Sequence, residues 1–296
     1  VFDDKIVLYW DRQEEYKKGC LYCVKYAHET AYTDKTHFTI SKKDNTGKTF
    51  EITVTLVDAN GKTIKSLTEQ TLAFADTKRR IDVTQAPYFA VGDGKTNNTQ
   101  AIQQAINDCG KDDCVYLPVG TFLTGALTLY SDMELYVDSG ATLQGTDKAE
   151  DYLPKVKSRF EGIERECYQS LLNAGELDHK GGYTTRNIVI RGGGSILGGG
   201  RALMIDEIEK ESGLPFGDDE ESRKKQRGAW VYRGRLLQAS NVENIIIADV
   251  TIGMGASWNL HFIYSKNVTT FGCKIVSNEV NNGDGCALMK NPVLAG

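Results

Sequence analysis

Asn244-Ile245-Ile246-Ile247 is followed, 23 positions later, by Asn267-Val268-Thr269-Thr270. Each run opens on an asparagine and continues with β-branched residues, the composition of a short buried strand. Asn187-Ile188-Val189-Ile190 has the same form upstream, and Trp258 to Ile263 supplies a further strand between the last two runs. A recurrence at this period, one asparagine-led strand per turn, is that of a stacked β-solenoid. Met133-Glu134-Leu135-Tyr136-Val137 and Ala141-Thr142-Leu143 carry the same texture back along the chain.

A solenoid leaves an apolar end and unpaired strand groups that need covering. The run Gln100 to Asp108, with Ala101, Ile102, Ala105 and Ile106 on one face, is expected to be the helix that covers the first coil. Asn97, Asn98 and Thr99 stand ahead of it as N-cap candidates. At the other end, Asn291 to Gly296 is too short for a capping helix, and Pro292 cannot donate to a strand ladder, so that end is expected to be uncapped. Arg201 to Arg233 interrupts the repeat. Within it, Ala202 to Glu211 suits a short helix, and the mixed charge run Gly217 to Arg227 reads as a solvated loop or as the wall of a groove.

The first part of the chain has another texture. Lys5 to Trp10, Cys23 to Tyr26, His37 to Ile40 and Phe50 to Val57 read as short strands, with Asp58-Ala59-Asn60-Gly61-Lys62 as a hairpin turn in which Asn-Gly supplies positive backbone dihedrals. Strands at this spacing suggest a small β-sandwich over residues 1–78, with the boundary in Asp76-Thr77-Lys78-Arg79-Arg80. Ile6 to Asp11 and Ile52 to Lys62 resemble a fibronectin type III domain.

The 296 residues carry a net charge of −5, so no basic field attracts nucleic acid or an acidic membrane. No apolar run is long enough to span a bilayer as a helix. Cys20-Leu21-Tyr22-Cys23 has metal or redox spacing, but no second pair follows, and thiols buried on strands are the expected reading. No cofactor and no metal are expected.

Asp93 to Ile102, Val115 to Phe122, Leu135 to Leu143, the glycine run Gly192 to Gly200, and Arg233 to Gln238 leading into Trp258-Asn259-Leu260-His261 and Asn282-Gly283-Asp284-Gly285 resemble glycoside hydrolase family 28, the polygalacturonases and their relatives. The resemblance covers roughly residues 79 to 286. It implies an all-β chain: a right-handed parallel β-helix over 79–296, preceded by the small sandwich. It also implies an enzyme that is secreted or periplasmic and hydrolyses pectic polysaccharide or galacturonate oligosaccharide with inversion. Exo action is expected from the appended domain and from the 201–233 insertion, taken to close one end of the groove.

In such a reaction one carboxylic acid protonates the leaving oxygen while carboxylate bases activate water on the opposite face. Asn282-Gly283-Asp284 matches the family's Asn-x-Asp element, which makes Asp284 a water-activating base and Asn282 its companion. In a second register, Gly283-Asp284-Gly285-Cys286 with Lys290 resembles a Gly-Asp-Asp-Cys segment, and Asp284 is then the general acid. Either register leaves the constellation incomplete by Gly296, so the resemblance implies little or no hydrolase activity for residues 1–296 alone. Arg235, Trp258 and His261 are candidate substrate contacts. Each also has a plain structural reading: Arg235 in an internal pair, Trp258 in the core or groove wall, His261 as a buried strand residue. A non-catalytic carbohydrate-binding or adhesive β-helix is the alternative. A calcium-dependent lyase would need an acidic cluster that the sequence does not display.

Overall fold

The computed structural model describes residues 1–42, 49–277 and 280–289. Lys290 and the segment Asn291 to Gly296, with the uncapped end expected there, lie outside the described residues. The chain divides into two compact units, Val1–Lys78 and Arg79–Gly296.

In the first unit, Lys5–Tyr9 pairs antiparallel with His37–Ser41, and a four-stranded antiparallel sheet runs Glu29–Thr33, Leu21–Tyr26, Thr49–Val57, Thr63–Ala73. The alternation in Thr49–Val57 sends Phe50, Ile52, Val54 and Leu56 into one cluster with Ile6, Tyr22, Val24 and Ile40. Cys20 and Cys23 are buried thiols. The Asp58 turn forms as expected, with one difference. Gly61 alone has a positive φ, and the Asp58 carboxylate holds the turn by accepting from the Asn60 and Lys62 N–H groups at 2.9 Å each.

The second unit is a pile of coils, each offering a strand to up to three parallel sheets. The first sheet holds Arg79–Asp82, Asp113–Leu117, Met133–Val137, Thr185–Gly192, Val242–Ala248 and Lys266–Phe271. The second runs from Asp93–Asn97 to Lys274–Val276, and the third from Leu127–Leu129 through Leu172–Ala174, Leu237–Ser240 and Leu260–Ile263 to Cys286–Met289. In-register apolar residues such as Leu135, Ile190 and Ile247 stack down the inside of the coil.

The asparagine repeat has a physical cause. Asn187, Asn244 and Asn267 sit at φ +57°, +62° and +54°, a left-handed turn that asparagine tolerates better than β-branched residues. Each amide then donates to the one before it: Asn267 to Asn244 at 2.8 Å, and Asn244 to Asn187 at 2.8 Å. Asn187 donates to the Asp132 carboxylate at 2.7 Å, and an acceptor-only group ends the ladder.

The helix is Thr99–Asn107, with Ile102, Ala105 and Ile106 buried. It stands where the first coil has no third-sheet strand, and Gln103 satisfies the exposed edge. Its amide accepts from the Thr128 N–H at 2.8 Å and donates to the Thr128 carbonyl at 3.1 Å. Asn98 occupies the N-cap position but makes no capping bond there; Asn97 instead accepts from the Thr99 N–H at 3.0 Å.

The insertion holds two α-helices, Gly200–Ser212 and Glu220–Gln226, and a 3-10 turn, Ala229–Tyr232. The second helix corrects the loop expected in the charge run. Asp219 caps it by accepting from the Ser222 N–H at 3.0 Å, and Lys225 pairs with Glu221 one turn away at 2.6 Å. A further insertion between the third coil's second- and third-sheet strands folds as an antiparallel hairpin, Val156–Phe160 and Ile163–Cys167.

Candidate active site

Leu237, Leu260 and Cys286 are in register on the third sheet. Two positions before each stand Arg235, Trp258 and Asp284, so all three occupy the same place in successive coils. The backbone bonds that stack them are Leu236 N–H to the Trp258 carbonyl at 3.2 Å and Asn259 N–H to the Asp284 carbonyl at 2.9 Å. The buried Asn259 amide also donates to the carbonyls of Gly283 and Asp284 at 3.2 Å each. The peptide carrying Asp284 is therefore pinned, while its side chain is exposed to solvent.

Upstream of Asp284 the outer surface of the third sheet is covered. Asn173, Gln238 and His261 share one outward column, and all are buried. The hairpin is the cover. Ser158 donates to the Gln238 side chain at 2.5 Å, and the Arg159 guanidinium reaches the Tyr264 hydroxyl at 2.9 Å. Phe160 stacks on Trp258 with ring centroids 4.7 Å apart and an interplanar angle of 20°. The Arg235 guanidinium lies 4.9 Å from the Phe160 ring and 5.2 Å from that of Trp258.

Arg235, Trp258 and His261 thus face the hairpin and not an open groove, at relative exposures of 2%, 6% and 0%. Direct contact with substrate is not what these surroundings favour. Arg235 donates to the Arg233 and Arg159 carbonyls, the second at 3.1 Å. His261 has both ring nitrogens buried without a protein partner, 4.9 Å from Trp258 by ring centroid. Burial first, then the cations of Arg235 and Arg159, pull its pKa down to about 3, so the ring is neutral.

Two further side chains brace this stretch, Asn282 of the Asn-Gly-Asp run and Glu207, which no motif marks. Asn282 sits at φ +59°, and its side-chain oxygen accepts from Arg233 at 3.1 Å. Glu207, on the first insertion helix, accepts from the Gly234 N–H at 3.0 Å, and burial pushes its carboxyl up to about 8. The helix thereby braces the segment Arg233-Gly234-Arg235. The hairpin did have a sequence signal. Lys157-Ser158-Arg159-Phe160 and Ile163-Glu164-Arg165-Glu166 flank Glu161-Gly162, whose φ values of +47° and +86° are those of a two-residue hairpin turn. Among the described residues, no group of three or more His, Cys, Asp or Glu is placed to hold a metal ion. No described helix is long and apolar enough to cross a membrane.

A family profile described as rhamnogalacturonase A/epimerase, pectate lyase-like, matches residues 86–163. The structure of the family 28 exopolygalacturonase of Yersinia enterocolitica superposes with a TM-score of 0.81 at 25% identity, covering 97% of this chain and 60% of that one. The parallel coils share the fold of that polygalacturonase β-helix. The exopolygalacturonase of Thermotoga maritima shares the polygalacturonase fold at a TM-score of 0.56 and 28% identity, over 70% of this chain and 49% of that one. In sequence, the exo-poly-α-D-galacturonosidase of Dickeya chrysanthemi is 34% identical over 261 residues, which is 81% of this chain and 43% of that protein. The chain spans less than half the length of the curated polygalacturonases it matches, 43% and 46% for the first two.

Proposed function

We propose that residues 79–296 are part of an inverting glycoside hydrolase that removes galacturonosyl units from the ends of pectic polygalacturonate. On the same reading, residues 1–78 form a fibronectin type III-like β-sandwich appended to a right-handed β-helix. Similarity to exo-acting polygalacturonases supports the reaction class.

The observation that carries exo action is the hairpin laid over the third sheet beside the coil of Asp284. The sheet's outer surface is covered by the 156–167 hairpin as far as Trp258 and His261. A polysaccharide lying along that surface runs into Phe160 and Trp258 and must end there. The wall adjoining Trp258 is thus this hairpin; the 201–233 insertion stands behind it, bracing Gly234 through Glu207.

Asp284 is the water-activating base in this proposal. Inversion requires an acid on the opposite face of the sugar with space for a water between the two carboxyl groups. The family's order puts that acid about one coil further on. Arg235 is enclosed, so a uronate carboxylate must be gripped by other cations. Because the polymer is a plant cell-wall component, the proposal includes export from the cytoplasm.

The test is Asp284→Asn in the complete protein. The expected result is retained binding of galacturonate oligomers by calorimetry, with hydrolysis reduced roughly 100- to 10,000-fold. Wild-type hydrolysis by the variant contradicts the assignment. Tight binding with no turnover by the unaltered protein instead favours a carbohydrate-binding role.

A further inference from the structure

Arg233 is fully enclosed at the point where the 201–233 insertion returns to the coil. Its guanidinium donates from Nε to the Trp230 carbonyl at 2.7 Å. From Nη1 it reaches the carbonyls of Ala256 at 2.9 Å and Asn281 at 2.8 Å, and from Nη2 the Asn282 side-chain oxygen at 3.1 Å. One planar group therefore joins its own coil to the two that follow. Burial draws the Arg233 pKa down to about 10, which still leaves it a cation at neutral pH, and charge-assisted bonds are the strong ones.

The far end of this tie is the turn that leads to Asp284. Asn282 is held in the left-handed region at φ +59°. Asp284, two residues on, is exposed and makes no side-chain hydrogen bond or ion pair among the described residues. Its position is set by its backbone, which is gripped on one side by Asn259 and on the other by Arg233.

We propose that Arg233 is a positioning residue for Asp284: it anchors the Asn281-Asn282 turn so that the carboxylate meets the reacting water in one fixed place. The proposal rests on the reading of Asp284 as the reaction's base. A lysine cannot replace the anchor, because its single nitrogen cannot span acceptors that the planar fork reaches from three. Misplacement of a catalytic group by a fraction of an ångström is felt in the chemical step and far less in binding.

Arg233→Lys and Asn282→Gly in the complete protein test this. Glycine accepts the positive φ, so Asn282→Gly removes the side-chain acceptor with little risk to folding. The expected result for Arg233→Lys is a kcat loss on the order of 30-fold with KM changed by less than about two-fold. Asn282→Gly is expected to lose about ten-fold, and the double variant no more than Arg233→Lys alone, since the bond Asn282→Gly removes is one that Arg233→Lys already breaks. Amide exchange at Gly283 to Gly285 should quicken in both variants while near-ultraviolet dichroism stays native. Unchanged kcat and exchange in Arg233→Lys and Asn282→Gly, alongside an inactive Asp284→Asn, overturn the role of Arg233 and leave the base intact. So do kcat losses that simply add in the double variant. A fully active Asp284→Asn overturns the reading on which the proposal rests, whatever exchange shows.

Discussion

Taking the protein from pH 7.5 to pH 4.5 should weaken the β-helix through His261. The unfolded-state pKa of histidine is near 6.5, and enclosure beside Arg235 and Arg159 brings the folded value down to about 3. The folded pKa lies below the unfolded one. The neutral ring's contribution is therefore fully present above pH 6.5 and is lost as pH falls from 6.5 toward 3, where only the unfolded chain takes up the proton. At pH 4.5 the two-unit gap is worth about 2.7 kcal/mol. For a unit of this size that is a drop of roughly 5–10 °C in Tm. Carboxylates titrate in the same range, so the quantity to measure is the difference between the native sequence and His261→Gln. Glutamine alters the level of stability but contributes no proton uptake. Urea unfolding followed by circular dichroism, at half-unit intervals, should show the native sequence losing about 2.7 kcal/mol more than the variant. Parallel curves for the two proteins, or a His261 resonance titrating near 6.5, refute the argument.

Three other outcomes follow from particular contacts. Asn244→Ala breaks the ladder on both sides and puts alanine at φ +62°; a loss of about 2–4 kcal/mol in urea unfolding is expected, and Asn244→Gly should recover the backbone part. Phe160→Ala removes the ring stacked on Trp258; it should cost about 3–5 kcal/mol and shift tryptophan emission to the red as Trp258 meets water. Gly192→Ala places a Cβ against the Val137 carbonyl at φ +141°, and thermal unfolding should show a loss of about 3 kcal/mol or more.

The solenoid was legible because its chemistry restricts residue type. A left-handed turn whose side chain must both donate and accept favours asparagine, so Asn187, Asn244 and Asn267 print the coil directly into the sequence. The helix at Thr99–Asn107 was legible from its apolar face, though not the use of Gln103 to close a sheet edge, which depends on a partner 25 residues away. Within the charge run, Glu220–Gln226 is helix and not loop because capping by Asp219 and the Glu221–Lys225 pair outweigh its lack of an apolar stripe. Asp284 could be singled out by its motif, but the burial of Arg235, Trp258 and His261 could not. That burial is imposed by a hairpin far away in sequence, whose own alternation looks like any exposed pair of strands. Arg233 opens the Arg233 to Gln238 run, yet its bonds go to the next two coils and leave no local trace in the sequence.

The 156–167 hairpin closes the outer surface of the third sheet up to Trp258, and a substrate chain would stop there. Sizing the products of polygalacturonate early in a digestion by the complete protein tests it most directly. Short products only are expected, with the polymer peak and the viscosity of the solution almost unchanged. A continuous ladder of oligomers with an early fall in viscosity would contradict it, because the substrate would then have passed through a place where Phe160 and Trp258 leave no path.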